Sequence, residues 1–214
     1  MKLKLDLHDI YNRGQDIDRA LRAVIDEAVA KKITLVEIIP GKGSGQLKKR
    51  VLLQDGASPA VALHRLNRAL IDHPTASRFC TLALATVSHT GDDLRMRLCL
   101  AGHPEPVLVR RDGSTELVGT PGDLVGVLGE DEMSLVEVDV GLAPGESLVF
   151  YTDGVTERRD EGRMFGQYGV RQTLSQVATA SAQVMADTLE QAARSFVPTE
   201  LRDDLAILVV QRSG

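Results

Sequence analysis

Two apolar stretches that each meet a carboxylate at one end constrain this chain more than any other feature. The first, Leu148–Tyr151, is followed two residues later by Asp153-Gly154, so a strand would carry a carboxylate to its own tip. The second, Leu205–Val210, is preceded directly by Asp203-Asp204. Strand-end carboxylates that meet in space form the oxygen-rich site that Mg²⁺ or Mn²⁺ prefers. Taken singly, each pair also fits an ordinary turn or strand entry, because Gly and Asp are common turn residues.

The composition describes a globular protein that can bury a sizeable core. The 214 residues are 43% hydrophobic and 26% charged, with a mean hydropathy of -0.06, which fits one or two domains. The net charge of -5 argues neither for nor against a nucleic-acid partner. The charge is uneven, however: residues 1–54 hold 11 Lys and Arg against 7 Asp and Glu (+4), and the remainder hold 14 against 23 (-9). A basic head on an acidic body suggests two modules of different origin.

Cysteine content and hydropathy favour a cytoplasmic location. Cys80 and Cys99 are the only cysteines, and each lies in an apolar strand-like run, so both are predicted to be buried free thiols. No apolar run approaches the roughly 18 residues of a membrane span, and the start of the chain lacks the apolar core of a signal peptide. We therefore expect a cytoplasmic protein without a membrane partner. With no tryptophan and 3% aromatic residues, binding of single strands by base stacking has little support.

The first 53 residues predict a β-α-β unit followed by a loop and a helix. Leucines alternate with polar residues over Leu3–Leu7, which indicates a half-buried strand. Apolar residues at helical spacing follow from position 17 to position 29, and Thr34–Ile39 is predicted to be a second strand. Strands joined in this way are expected to pair in parallel through a right-handed crossover. The loop Gly41–Gly45 then leads into a short basic helix, where backbone N–H groups either face an anion or simply form a turn.

This opening segment resembles the first part of the Smr (small MutS-related) family. The resemblance rests on Leu5-Asp-Leu-His8 and on Ile38-Ile-Pro-Gly-Lys-Gly-Ser-Gly-Gln-Leu-Lys-Lys-Arg50. It implies nucleic-acid binding, with Asp6 and His8 as motif residues. The candidate phosphate contacts that it implies are Gly41, Lys42, Gly43, Gly45, Lys48, Lys49 and Arg50. A solvated basic face is the alternative. Pro40 stands where many members carry a histidine, and its side chain can neither donate nor accept a proton.

Beyond residue 57 the pattern predicts an α+β fold. Ser58-Pro59 is typical of a helix start. The strands predicted after it are Phe79–Ser88, Leu94–Leu100, Val107–Arg110, Thr115–Val118, Leu135–Val140 and Ser147–Tyr151. Helical patterns then occupy about 168–180 and 183–196, and Leu205–Val210 is the last strand. Strands in one block with helices packed outside are typical of a layered α+β sandwich.

A fixed succession of motifs between Ser58 and Arg212 resembles the SpoIIE-type branch of the PPM (protein phosphatase 2C-like) serine/threonine phosphatases. The motifs are, in order, Ser58-Pro59, Leu66-Asn-Arg-Ala-Leu70, Phe79-Cys-Thr-Leu-Ala83, Ala101-Gly-His-Pro-Glu-Pro106, Leu142-Ala-Pro-Gly-Glu146, Tyr151-Thr-Asp-Gly-Val-Thr-Glu157 and the Asp203-Asp204 strand. The resemblance implies an antiparallel β-sandwich with flanking helices. It also implies hydrolysis of a regulatory phosphoprotein with Mn²⁺ or Mg²⁺ as the cofactor. Of the family's metal site, Asp153, Gly154 and Asp203 carry over.

The chain departs from this family on its amino-terminal side. Two further metal carboxylates that relatives of this kind provide upstream are missing: the early Gly-Asp strand has no counterpart, and Ile38 occupies the place of the second aspartate. We interpret the chain as an Smr-like segment over 1–53, a junction over 54–57 and a phosphatase-like domain over 58–214. The first segment would replace the missing strands and pack with the rest as one globule. On this hypothesis the strands at 3–8 and 34–39 complete an otherwise open sheet edge.

Three functions stay open on the sequence alone. The first is a metal-dependent phosphatase with Asp153 and Asp203 as ligands. The second is an Smr-like nucleic-acid-binding module that uses Gly41–Arg50, with the remainder as a scaffold. The third is a catalytically inactive fold chimera of two domain fragments, which the missing carboxylates favour. His103, in the Ala-Gly-His-Pro motif, is expected to order a strand end rather than to bind metal.

Overall fold

Two antiparallel sheets and the helices that cover them make up most of the described chain. The computed structural model describes residues 2–6, 35–39, 58–71, 79–90, 93–129, 131–160, 162–197 and 205–213. In chain order, its elements are β1 (Lys2–Asp6), β2 (Leu35–Ile39), α1 (Pro59–Ile71), β3 (Leu82–Thr90), β4 (Asp93–Ala101), β5 (Val107–Val109), β6 (Thr115–Leu117), β7 (Glu137–Leu142), β8 (Ser147–Tyr151), α2 (Asp153–Thr156), β9 (Arg159–Asp160), β10 (Arg163–Met164), α3 (Gly166–Gln176), α4 (Ala182–Phe196) and β11 (Ile207–Gln211). Within these residues, no helix is long and apolar enough to cross a membrane.

The two larger sheets stack as a sandwich. One sheet has the strand order β11-β8-β5-β6 and the other has the order β3-β4-β7, and every pairing in them is antiparallel. The short strands β9 and β10 form a separate ribbon. Antiparallel strands in one block, with helices packed outside, confirm the predicted α+β class and the sandwich that the phosphatase resemblance implied.

Alternation along β8 lets this one strand contribute to two cores. Val149 and Tyr151 pack with α3 and α4, whereas Leu148 and Phe150 face the space between the sheets. Successive side chains on a strand point to opposite faces, and both faces of this sheet are covered. Leu148, Val149 and Tyr151 are therefore almost completely buried. A continuous apolar run is the pattern that such a central position requires.

The core between the sheets is supplied largely by β4. Met96, Leu98 and Leu100 alternate with the exposed residues Arg95 and Arg97. The remaining buried members of this core are Leu108, Val118, Val140, Leu142 and Leu148. Each fully buried leucine contributes about 1.5–3 kcal/mol relative to exposure. This layer therefore holds the two sheets together.

Helix α1 covers the outer face of the three-stranded sheet. Leu63 packs in one cluster with Cys99 and Ala101 of β4, and Leu66 and Leu70 lie against the same cluster. Their spacing places these leucines on one face of the helix. The amphipathic helix predicted after Ser58 is thus confirmed, and its apolar side is the side that meets the sheet.

Asn67 ties α1 to the loop that crosses its end, and its loss is expected to destabilise the fold. The side chain is fully buried; its Nδ2 donates to Leu128 O at 2.9 Å, and its Oδ1 accepts from Gly126 N at 2.7 Å. Asn67→Ala leaves two partly buried backbone groups without this partner, and an unpaired buried group costs about 1–3 kcal/mol. We expect a loss of about 2–4 kcal/mol in the free energy of unfolding, measured with urea. Val61→Ala, on the exposed side of the same helix, is the control; equal effects of the two changes would contradict the assignment.

Both cysteines are free thiols, as predicted. Cys99 is fully buried, and burial, together with the negative charge of Glu137, raises the pKa of its thiol to about 11. Such a thiol stays protonated at neutral pH and behaves as an apolar core group. Cys80 is only half-buried, so the prediction that it is buried is wrong. The reason is its position outside β3, on an isolated bridge to Val125.

The amino-terminal strands pair only with each other among the strands that the structure describes. β1 and β2 are parallel, with Leu5 opposite Ile38, which confirms the predicted parallel pairing. Neither of them joins the sandwich within the described residues, so the prediction that they complete its open edge is wrong. β1 and β2 form backbone hydrogen bonds with each other along one edge. In the sandwich, β3 and β11 remain edge strands. The predicted helix between β1 and β2 and the loop Gly41–Gly45 lie outside the described residues.

Several boundaries differ from those predicted, each for a local reason. The strand predicted from Phe79 begins at Leu82, because Phe79 is exposed and its neighbour forms only an isolated bridge. The helix predicted over about 168–180 is Gly166–Gln176, because Val177 leaves the helical conformation. The strand predicted to start at Leu205 is Ile207–Gln211. Element types were thus predicted more accurately than element ends.

Candidate metal centre

Asp153 lies at the end of β8, an inner strand of the four-stranded sheet. Thr152 is still extended, with φ -80° and ψ 162°, and α2 begins at the next residue. The Asp153 side chain is exposed, and its Oδ1 accepts a hydrogen bond from Gly154 N at 3.0 Å. It forms no ion pair with a residue in the described ranges. Gly154 and Val155 are buried below it. The sheet thus presents this carboxylate to solvent on a rigid support, as the sequence predicted.

Two hydrogen bonds fasten this strand end to the start of the last strand. Thr152 N donates to Ala206 O at 3.1 Å, and Ala206 N donates to Thr152 Oγ1 at 2.9 Å. They continue the β8–β11 ladder, in which Ile207 lies opposite Tyr151. The residues that precede β11 therefore reach the sheet through Leu205, at the same end as Asp153.

Asp203 and Asp204 lie outside the described residues. Asp203 precedes Leu205 by two residues in the chain. The predicted meeting of Asp153 and Asp203 stays a prediction.

A loop before β5 shares this end of the sheet. β5 is antiparallel to β8, with Val107 opposite Val149, so the residues that precede β5 lie near the end of β8. Tyr151 Oη donates to Glu105 O at 2.8 Å and fixes that position. Burial, reinforced by the negative charge of Glu105, raises the pKa of Tyr151 to about 12. The phenol thus stays protonated near neutral pH and acts as a hydrogen-bond donor.

The same loop carries the Ala-Gly-His-Pro motif. Gly102 has φ 62°, and its N–H donates to Gly122 O at 2.8 Å. A Cβ there would lie 2.6 Å from Leu124 Cδ2, so both the backbone angle and the space favour glycine. His103 Nδ1 lies 2.9 Å from Pro104 O. These contacts agree with the expectation that His103 orders a strand end.

A groove of about 600 Å³ opens beside this loop, between the edge strands β3 and β11. Its end near Asp153 is lined by Thr81, His103 and Thr152. The apolar residues that line the remainder include Ala83, Ala85, Phe150, Leu208 and Val210. The groove therefore has one polar end, next to the candidate carboxylate, and an apolar floor.

The structure describes only some of the predicted site residues. Asp153 and Gly154 stand at the sheet end, while Asp203, His8 and the basic loop Gly41–Arg50 lie outside the described residues, as does the side chain of Asp6. Within the described residues, no three of His, Cys, Asp or Glu come close enough together to hold a metal ion. The described part of the centre therefore offers one carboxylate.

Sequence reasoning missed the residues that position this carboxylate. Thr152 was seen only as part of a motif, although its hydroxyl and amide join the two strands. The available signal in the sequence was a threonine at the end of an apolar strand, directly before the Asp-Gly pair. The Tyr151–Glu105 bond spans 46 positions and leaves no local pattern in the sequence.

Two family models match parts of this chain. Residues 46–213 match the family described as Stage II sporulation protein E (SpoIIE), and residues 5–75 match the Smr domain. The matches overlap, so the predicted junction at 54–57 stays a prediction. Among curated proteins, the phosphoserine phosphatase RsbU of Bacillus subtilis is 25% identical over 162 residues, which cover 75% of this chain and 47% of that protein. The chain thus spans about half the length of this relative.

Solved structures agree with the fold. The RsbU and RsbW domains of Rv1364c from Mycobacterium tuberculosis match with a TM-score of 0.60 and 27% identity, over 74% of this chain and 43% of that one. The phosphatase domain of SpoIIE from Bacillus subtilis matches with a TM-score of 0.58 and 17% identity, over 81% of this chain and 78% of that one. With the sandwich, the strand-end aspartate and the match over residues 46–213 together, this chain belongs to the SpoIIE family of PP2C-type phosphatase domains.

Proposed function

We propose that this chain is a metal-dependent phosphoserine or phosphothreonine phosphatase that acts on a regulatory phosphoprotein in the cytoplasm. The observation that carries the proposal is the exposed Asp153 at the end of β8, held beside the chain that leads to Asp203 by the two Thr152–Ala206 hydrogen bonds. Phosphoryl transfer depends largely on positioning and on neutralising charge. A carboxylate on a rigid strand end is suited to holding the cation that does so.

The donor set favours Mg²⁺ or Mn²⁺. Asp153, Gly154 and Asp203 would hold the ion through oxygen atoms, which are the ligands that these hard cations prefer. Gly154 N already donates to Asp153 Oδ1, so the carboxylate is oriented before any ion arrives. When bound, the ion would supply charge neutralisation at the phosphoryl group and lower the pKa of a coordinated water. With few protein oxygens in the set, water would complete the coordination, as is usual for Mg²⁺.

The substrate class follows from the relatives. RsbU of Bacillus subtilis is named as a phosphoserine phosphatase, and the mycobacterial structure places an RsbU domain in one chain with an RsbW domain. A phosphorylated regulatory protein is therefore the substrate we propose for this chain.

Titration calorimetry with Mn²⁺, followed by turnover of p-nitrophenyl phosphate, tests the proposal. We expect heat of Mn²⁺ binding, and hydrolysis that EDTA removes and added Mn²⁺ restores. Protein that neither binds Mn²⁺ nor hydrolyses the ester with Mn²⁺ or Mg²⁺ would contradict it. The chain would then be the catalytically inactive fold chimera that the sequence left open.

A second candidate function is nucleic-acid binding by the amino-terminal segment, which the match of residues 5–75 to the Smr domain favours. Gly41, Lys42, Gly43, Gly45, Lys48, Lys49 and Arg50 are the proposed contacts. Such contacts release counterions, so affinity for a labelled oligonucleotide should fall steeply with salt, and the slope should flatten in a Lys48→Ala, Lys49→Ala variant. Binding that is absent, or that ignores salt, would dismiss this function.

A further inference from the structure

We propose that His103 is a substrate-binding residue of the site, with its Nε2 donating a hydrogen bond to the phosphoryl group of the phosphoprotein. The inference rests on the proposed function, because it adds His103 to the same site. It differs from the expectation drawn from the sequence, in which His103 only orders a strand end.

The position of His103 is the first support. The loop that carries it precedes β5, and β5 is antiparallel to β8. The Tyr151 Oη–Glu105 O bond of 2.8 Å anchors this loop to the residue two positions before Asp153. Gln167 Nε2 donates to Glu105 Oε2 at 3.0 Å and holds the loop from the side of α3. His103 and Asp153 are therefore carried by the same end of one sheet.

The orientation of the ring is the second support. A backbone carbonyl can only accept, so the 2.9 Å contact between Nδ1 and Pro104 O requires Nδ1 to carry a proton. Nε2 has no hydrogen-bond partner among the residues that the structure describes. In the imidazolium form both nitrogens donate, and Nε2 can then donate to an anion while Nδ1 keeps its partner.

The chemistry of the groove is the third support. Among the groove residues that the structure describes, His103 alone can carry a positive charge, and none is a carboxylate. The hydroxyls of Thr81 and Thr152 line the same polar end. A phosphoryl group at this end would meet the His103 ring and two hydroxyls, and no carboxylate is among the described residues that line the groove. The apolar floor of Phe150 and Leu208 beyond it suits the side chains that flank a phosphorylated residue.

Two substitutions of His103 test the roles of its two ring nitrogens separately. The Asn amide in His103→Asn can replace Nδ1 and keep the Pro104 contact, whereas the longer amide in His103→Gln reaches toward the place of Nε2. A hydrogen bond to a charged group contributes about 10- to 100-fold in affinity. We expect kcat/KM for a phosphoserine peptide with Mn²⁺ to fall by about that factor in His103→Asn and by less in His103→Gln. His64→Gln, on α1, is the control for loss of a histidine. Full activity in His103→Asn would overturn the proposal.

Metal-free protein distinguishes failure of this inference from failure of the phosphatase function. The imidazole nitrogens of ¹⁵N-labelled protein are followed by NMR while a phosphoserine peptide is added, and the His103 signals are identified from their absence in His103→Asn. We expect the Nε2 signal of His103 to shift with the phosphopeptide, but not with the same peptide unphosphorylated, and the His64 signals to stay in place. A stationary Nε2 signal overturns the inference, whether or not the protein hydrolyses phosphoesters. A shift in a protein without Mn²⁺-dependent turnover keeps His103 as a phosphate-binding residue and dismisses the phosphatase function.

Discussion

Asp153→Asn is expected to abolish Mn²⁺-dependent turnover, with at least about a 100-fold loss in kcat/KM. The amide has the shape of the carboxylate and can keep the bond from Gly154 N through its oxygen. It lacks the negative charge that holds a divalent cation. Several kcal/mol of charge stabilisation in the transition state disappear with the ion, and each 1.4 kcal/mol is about tenfold in rate. Calorimetry on the same variant should show weakened Mn²⁺ binding.

The stability of the Asp153 variant should be nearly unchanged, which makes the result interpretable. Asp153 is exposed and forms no ion pair within the described part of the chain, and surface substitutions of this kind stay within about 0.5 kcal/mol. Asp187→Asn is the matched control, because Asp187 is an exposed aspartate on α4 whose contact is with Gln183 of the same helix. Equal activity of the two variants would exclude Asp153 from the metal centre.

Gly122→Ala is expected to destabilise the protein by about 3 kcal/mol. A Cβ at this position would lie 2.5 Å from Leu100 O and 2.9 Å from Ser134 O, which are backbone atoms that cannot rotate away. Overpacking against fixed atoms costs about 1–3 kcal/mol, occasionally more, and this clash is at the upper end. For a chain of this size, we expect the melting temperature to fall by about 6–12 °C, measured by circular dichroism.

Gly122→Ala should also disturb the candidate site. Gly122 O accepts from Gly102 N, so displacement of residue 122 disturbs the loop that holds His103. Gly141→Ala is the control: Gly141 lies in β7, and nothing comes within 4 Å of a Cβ placed there. Similar melting temperatures for the two variants would show that the chain relaxes around residue 122.

The sequence could predict the parts of this fold that repeat a local period. The apolar run of β8 and the alternation along β4 follow from burial on one or both faces, and both are visible within a few residues. The leucines of α1 likewise predicted a helix with one covered face. Family motifs then led from these elements to Asp153 and Gly154.

Contacts between distant residues could not be predicted in the same way. The Thr152–Ala206 pair spans 54 positions and depends on the register of two strands. The absence of pairing between β1 or β2 and the described strands of the sandwich had no local signal, because a strand that closes an open sheet edge and a strand in a sheet of its own have the same alternation. The meeting of Asp153 with Asp203 stays a prediction, because Asp203 lies outside the described residues.

One support of the candidate site, β11, is an edge strand. β11 pairs with β8 and with no other described strand. Its far end is anchored by Gln211, whose side chain contacts Ala182 N and Ala180 O at 3.1 and 2.9 Å. We therefore expect local opening of this strand to begin at the Thr152–Ala206 end and to cost less than global unfolding. On the proposed function, contacts that keep this end of β11 paired would favour activity without touching Asp153.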